Sequence, residues 1–391
     1  MAATSNSSKV HSLTGQITLS LVAEAYTNVK RNKGAAGIDK VSLHMFEQQL
    51  GQNLLALARE LKKGTFQPLP LRRVYIPKEP GKQRPLGIPA VRDRVAQEVL
   101  RLLLNPHFEP RFHQDSYGFR PGRNCHMAIE TLLELHRQGH VHVLDADIQG
   151  FFDNIPHPVI MAGLRAVVAD GNILNLIEKF LTSGVMEAGQ WRPTSIGTPQ
   201  GGVISPLLAN IALDFLDWHL DSLGYRFVRY ADDFVVVCST ATQAQEALTA
   251  VQHRLKELGL TLSPTKTRIT TFTEGYTFLG FEISARSVRM RPKAVEKFKT
   301  KVRDVTRRSR NLDAEALTRL NRIVRGTANY FAAPFASCVN LFRGLDRWLR
   351  MRLRCMKSKR KSRQDNWRIR LRHLRHWGAH WLSDFLPQPC R

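Results

Sequence analysis

No run of about eighteen or more apolar residues occurs in the 391-residue chain, which excludes a membrane-spanning helix. The segment from Met1 to Lys9 is polar and holds no apolar core for a secretory signal. Cysteine is scarce: Cys125, Cys238, Cys338, Cys355 and Cys390 are scattered and never spaced Cys-x-x-Cys, so reduced thiols and no structural zinc are expected. Cys125-His126 has no second pair at ligand spacing, and neither does the group His136, His140 and His142. Acidic residues are also in short supply, with 33 Asp and Glu against 58 Lys and Arg, a net charge of +25. Such a balance implies a polyanionic partner, either nucleic acid or an acidic membrane surface. Residues 293–391 hold 26 Lys and Arg against 7 Asp and Glu, so the surplus is concentrated in the last quarter of the chain. A hydrophobic content of 43% excludes a disordered charged tail, and the length suffices for two or three subdomains. A cytoplasmic or nucleoid-associated protein without a membrane partner is the expectation.

Among what is present, Asp232-Asp233 carries the most chemistry. It lies between Phe227-Val228-Arg229-Tyr230 and Phe234-Val235-Val236-Val237, β-branched and aromatic runs that predict a strand, a tight turn and a strand. Two adjacent carboxylates held at a rigid hairpin tip are costly without a cation. Neighbouring side chains of an extended strand point to opposite faces, so one Asp would bind metal directly and the other assist or orient. An isolated Asp-Asp is ordinarily just a polar turn; two other segments argue otherwise. Val141 to Asp147 predicts an apolar strand that delivers Asp147 at its end and breaks at Gly150. Gly197-Thr198-Pro199-Gln200-Gly201-Gly202 predicts a turn whose backbone can approach a ligand closely.

Together these segments resemble the palm of a reverse transcriptase, and the likeness extends over nearly the whole chain. Gly34-Ala35-Ala36-Gly37-Ile38-Asp39 resembles the N-terminal extension motif of group II intron reverse transcriptases. The stretch Val74 to Lys78, Arg84-Pro85-Leu86-Gly87, and Ser116 to Arg123 are similar to their fingers motifs; Leu262 to Thr267 and Phe278-Leu279-Gly280-Phe281 are similar to their late palm motifs. Leu320 to Phe331 resembles the maturase region, or thumb, with Thr327 where many relatives carry Trp. The resemblance implies an α+β right-hand polymerase: fingers, an antiparallel-sheet palm backed by helices, and an all-helical thumb. Expected boundaries are a disordered stretch over 1–15, an N-terminal extension and fingers over 16–140, a palm over 141–290, and a basic thumb over 291–391. Many relatives carry a Cys-containing endonuclease after the thumb; none is visible here, which implies priming from an existing 3′ end.

By this resemblance Asp147, Asp232 and Asp233 are the catalytic carboxylates. Asp147, Asp232 and the Ile148 carbonyl would hold two Mg²⁺, with Mn²⁺ as a substitute, roughly 3.5–4 Å apart. Lys78 and Arg84 flank a fingers turn and would close on the triphosphate of a dNTP, although surface charges of this kind are ordinarily only solvated. Gln200 would contact the incoming sugar or base, or else simply stabilise its turn. Phe152, five residues after Asp147, would press against the sugar 2′ position and reject ribonucleotides; Phe151 competes for that role, and either could be core. Lys266 would hold a primer phosphate or be a solvated lysine at a helix start. Arg343, Arg347, Arg350 and Arg354 recur at helical spacing, so one face would track a phosphate backbone while Leu345, Leu349 and Leu353 face inward.

The resemblance implies RNA-directed DNA synthesis on an RNA template, intron RNA by family, with a DNA primer or target and dNTPs, joined to assistance in splicing. Rivals are a host-adopted polymerase in repair or phage defence, and an RNA-binding splicing factor with a dead polymerase. The oligomeric state is not legible.

Overall fold

The computed structural model describes residues 9–79, 81–198, 200–360 and 368–387, without the side chains of Lys78, Glu79 and Lys82. The described residues divide into two compact units, one built from those up to Leu135 plus Leu144–Ile269, the other from His136–Val143 plus those from Thr270 onward. No described helix is long and apolar enough to cross a membrane.

In the first unit, chain order runs α1 (Leu19–Arg31), α2 (Leu43–Glu47), α3 (Leu50–Lys63), β1 (Leu71–Glu79), β2 (Lys82–Ile88), α4 (Val91–Phe108) and α5 (Cys125–Arg137). It continues through β3 (His142–Asp147), α6 (Phe151–Asn154), α7 (His157–Val167), α8 (Gly171–Thr182), β4 (Val185–Glu187), β5 (Gln190–Arg192), α9 (Ser205–Ser222), β6 (Arg226–Tyr230), β7 (Asp233–Cys238), α10 (Ala241–Glu257) and β8 (Arg268–Thr271). Two sheets result, in the orders β2-β1-β4-β5 and β6-β7-β3-β8. The first is the predicted fingers hairpin, β1 and β2 antiparallel from Arg72 opposite Ile88 to Glu79 opposite Lys82, extended by β4 lying parallel to β1. The second holds the predicted carboxylate hairpin, in which Tyr230 pairs with Asp233 across a two-residue turn.

Helices cover this second sheet because their sequences are apolar almost all round. In α9, Leu207, Leu208, Ile211, Ala212, Leu213, Leu216 and Leu220 are all buried, and they join Phe227, Phe234 and Val236 in one core with α4, α7 and α10. Fully burying one such side chain contributes about 1.5–3 kcal/mol, so this layer sets the rigidity of the hairpin.

One expectation is corrected. Residues 9–15, expected to be disordered, are packed: Val10 bridges Val168, Leu13 is fully buried, and the Thr14 amide and hydroxyl donate to Asp170 at 2.7 and 2.8 Å. A short polar segment is held when a carboxylate captures its backbone; residues 1–8 lie outside the described ones. The residues from Thr270 onward, among them 270–290 expected as palm, pack within the second unit. Strands β9 (Tyr276–Phe278), β10 (Phe281–Ser284) and β11 (Ser287–Met290) form an antiparallel sheet inside the second unit. There Phe281 packs against Tyr330, Phe331 and Phe335. The remaining elements of that unit are helical: α11 (Pro292–Val305), α12 (Ala314–Phe331), α13 (Val339–Ser358) and α14 (Leu371–His376).

Behind the hairpin, α9 carries two carboxylates that the chain buries with one guanidinium. Asp217 and Arg229 are both fully buried and joined, Nε donating to Oδ1 at 2.7 Å. Asp214 has no cation of its own and its Oδ1 has no partner, so burial first, then Asp217, pushes its pKa up to about 7. A carboxyl whose folded pKa is raised contributes stability below its unfolded pKa, and that contribution is lost as pH rises to about 7. Asp214→Asn should therefore stabilise the protein increasingly from pH 4 to 8, by about 1–3 kcal/mol at the upper end. Thermal melting across that range checks it; a shift independent of pH is the contrary outcome.

Candidate active site

Three strand ends meet where the chain places its carboxylates. Asp147 is the last residue of β3, Asp233 the first of β7, and Asp232 the second turn residue between β6 and β7; β3 and β7 are neighbours in the sheet. The three carboxylate charges lie close enough to act on one another. Burial, and then the Asp147 charge, raises the Asp232 pKa above the ordinary carboxylate range. Asp233 reaches solvent, yet surrounding protein atoms first, then Asp232, Asp147 and Asp145, push it up to about 6. Crowding of this kind is relieved by a cation.

Beyond β3 the chain runs on as an antiparallel bridge. Gln149 N donates to Thr261 O at 2.9 Å and Ser263 N to Asp147 O at 2.7 Å, so Ile148 and Leu262 are a non-hydrogen-bonded pair. In that geometry the Ile148 carbonyl faces away from Leu262, on the side of its strand where β7 lies. No three His, Cys, Asp or Glu side chains group as a metal cage among the described residues. What is present is two carboxylates and a carbonyl, a hard-oxygen donor set that suits Mg²⁺, which takes one or two carboxylates and fills its shell with water and substrate phosphate.

Lys266 is paired within the cluster: its ammonium sits on both oxygens of Asp147, at 2.9 and 3.1 Å. A compact ammonium on a flexible stem goes to the nearest excess of negative charge, which here is the carboxylate cluster. Both partners are partly exposed, so the pair is weak, and a cation arriving at Asp147 must displace it. Asp145, not singled out from sequence, lies one turn of the pleat behind Asp147 and pairs with Arg268 at 3.5 Å. Its two-residue spacing from Asp147 on one strand was the available signal.

The Gly-rich segment links this cluster to the fingers sheet. Thr198 N donates to Phe152 O at 2.8 Å, and Gly87 N of β2 donates to Gln200 O at 2.8 Å. Arg84 Nε donates to Gln200 Oε1 at 2.5 Å, which joins two predicted nucleotide contacts directly. Gly201 has φ +114°, and a Cβ on it would lie 2.4 Å from the Gly87 carbonyl, so no other residue fits. Pro199 and the Lys78 side chain lie outside the described residues; the Lys78 backbone is in β1.

Burial separates the two phenylalanines. Phe151 is in the core, whereas Phe152 lines a cavity of about 240 Å³ with Arg73, Tyr75, Asp153, Glu187 and Thr198. Burial raises the Asp153 pKa, with Arg73 and Arg84 opposing.

In the second unit the predicted arginine face is split. Leu345, Leu349 and Leu353 are buried and Arg343 and Arg347 exposed, as expected. Arg350, however, lies over the Trp381 ring at 5.8 Å, and Arg354 Nε donates to Ile369 O at 2.8 Å. These two are structural contacts of the unit, because the last turns of α13 are covered by the segment that follows. Lys361 to Trp367 lie outside the described residues.

The sequence matches the family described as Reverse transcriptase (RNA-dependent DNA polymerase) over residues 76–283, and Group II intron, maturase-specific domain, over residues 295–377. The chain belongs to the reverse transcriptase family, with the α+β fold of a right-hand polymerase. Protein YkfC of Escherichia coli (strain K12) is 36% identical over 303 residues, 67% of this chain and 80% of that protein. Group II intron-encoded protein LtrA of Lactococcus lactis subsp. cremoris is 38% identical over 237 residues, 60% of this chain and 39% of that protein. The chain thus spans well under half of LtrA. A solved chain of the "Partial Cas6-RT-Cas1--Cas2 complex" is 28% identical, covering 62% of this chain and 40% of its own length, at a TM-score of 0.40.

Removing one of the crowded charges should help the metal-free fold. Asp232→Asn is expected to stabilise the protein by about 0.5–2 kcal/mol in a chelating buffer while abolishing catalysis. Melting of both proteins with and without chelator checks this; a destabilised variant is the opposite result.

Proposed function

We propose that this protein extends a DNA primer on an RNA template by nucleotidyl transfer at Asp147, Asp232 and Asp233, and that its maturase-specific region also binds intron RNA to assist splicing and mobility. The observation that carries the reading is the meeting of three carboxylates at adjacent strand ends, beside an Arg84–Gln200 contact and a phenylalanine-lined cavity. Two bound Mg²⁺, with Mn²⁺ as a substitute, would lower the pKa of the primer 3′-hydroxyl and neutralise charge on the departing pyrophosphate.

The chain's own residues do the rest. Asp147, Asp232 and the Ile148 carbonyl provide the oxygens for the ions, and Asp233 adds negative charge beside them. Arg84, held by Gln200, offers a cation to the triphosphate of a dNTP, together with Lys78 from the same hairpin. Phe152, which lines the cavity while packing against Phe151, would meet a ribose 2′-hydroxyl there. The 3′-oxygen attacks the α-phosphorus in line, the new phosphodiester bond forms, and the bond to pyrophosphate breaks. Splicing assistance is supported by the match of residues 295–377 and by the basic surplus of that region.

Extension of a DNA primer on an RNA template with Mg²⁺ and dNTPs is the test. Full-length product from the wild type and none from Asp232→Ala is expected; a well-folded wild type that binds RNA without extending would favour a splicing factor with a dead polymerase. Phe152→Ala should raise relative use of ribonucleotides on the order of 10–200-fold, measured by single-nucleotide insertion. If six to ten phosphates are neutralised, template–primer affinity should fall about 10³–10⁵-fold between 50 and 200 mM salt.

A further inference from the structure

The turn that presents Asp232 is held in a conformation its sequence does not favour. Ala231, the first of its two residues, has φ +59°, whereas Asp232 has an ordinary negative φ. That pattern is the type II′ turn, whose first position glycine ordinarily fills because a Cβ is strained there. In such a turn the peptide between the two central residues can rotate, and its carbonyl belongs to Ala231. Turning it over would change the dihedral angles on both sides of the peptide and carry the Asp232 carboxylate away from Asp147.

Two contacts grip this peptide. Arg229, fully buried, donates from Nη1 to the Ala231 carbonyl at 2.9 Å. The same Nη1 donates to Asn210 Oδ1 at 2.9 Å, while Nε and Nη2 are taken up by Asp217. Asn210, also buried, donates from Nδ2 to the Gly118 carbonyl at 2.9 Å. On the other side Gly118 lies directly against the turn: a Cβ there would be 2.2 Å from the Ala231 nitrogen. The Gly118 segment is docked along β6 by Arg229 N to Asp115 O at 2.9 Å and Tyr117 N to Arg229 O at 2.8 Å.

We infer that Arg229 is a positioning residue, which with Asn210 and Gly118 fixes the orientation of the Ala231–Asp232 peptide and so the distance from Asp232 to Asp147. The inference rests on the proposed polymerase function. A buried ion pair placed only for stability has no need of a third acceptor in the turn, and apolar residues of similar volume often serve as well. The guanidinium fork alone can serve Asp217, Asn210 and the Ala231 carbonyl at once; a lysine ammonium can satisfy the charge of Asp217 but not all three.

The test is Arg229→Lys, read by thermal melting, by titration of the metal-free protein with Mn²⁺, and by single-turnover primer extension. A folded variant with roughly 10-fold weaker Mn²⁺ binding, a maximal rate lowered on the order of 10²-fold and a little-changed dNTP half-saturation is expected. Wild-type Mn²⁺ affinity and rate in a folded Arg229→Lys protein would overturn it. If that variant does not fold, Gly118→Ala disturbs the same peptide from the opposite side with the ion pair intact, and unchanged Mn²⁺ affinity and rate there would overturn it equally. Failure of the wild type to extend a primer counts against the polymerase function, whereas the Mn²⁺ titration reports on the turn by itself.

Discussion

Repulsion among carboxylates gathered at the ends of two neighbouring strands is the constraint around which the first unit is built. Burial raises the free energy of ionised Asp232 and Asp233 most, and the Asp147 charge adds to both. A flexible scaffold would relieve that repulsion by letting the strand ends separate. Here it cannot, because β6 and β7 carry Phe227, Phe234 and Val236 into the helix-covered core and bury Val228 and Val235 on the opposite face. The apolar layer thus holds together charges that are unstable alone and that a cation would stabilise.

The second consequence is that the residues proposed to meet a nucleotide share one framework with the carboxylates. The Gly197–Gly202 segment touches Phe152 through one backbone bond and Gly87 of the fingers sheet through another. A shift of the fingers hairpin is therefore transmitted to the floor of the cavity lined by Phe152, and Arg84 moves with Gln200 rather than independently. Positioning of this sort converts a bimolecular encounter into a geometrically restricted one, the larger part of what a polymerase site contributes beyond its ions.

Much of this site was legible in the sequence because it is local. The Asp232-Asp233 hairpin and the strand ending at Asp147 follow from β-branching, aromatic residues and turn residues, and the fingers hairpin from the motifs that flank it. What was not legible depends on residues distant in sequence. Strands β4 and β5 have three residues each and exist because β4 pairs with β1, more than 100 positions earlier. The contact of Lys266 with Asp147 was not foreseen, since nothing in Leu262 to Thr267 shows that Asp147 lies beside it. The order in residues 9–15 comes from Asp170, and the placement of β9 to β11 with the helical unit comes from Phe281 packing on α12. Arg229 reads as an ordinary strand residue until Asp217 is seen next to it.

The same distinction governs the basic surplus of the second unit. Helical spacing alone put Arg343, Arg347, Arg350 and Arg354 on one face, but a guanidinium has three uses: it can meet a phosphate, stack on an aromatic ring, or cap a carbonyl. Arg350 and Arg354 take the second and third, and burial lowers the Arg354 pKa. Arg343 and Arg347, and Arg319, Arg322 and Arg325 along α12, stay exposed among other basic residues of the unit. They recur every three or four residues on their helices, a spacing that would suit a repeating backbone of phosphates and would carry no information about bases.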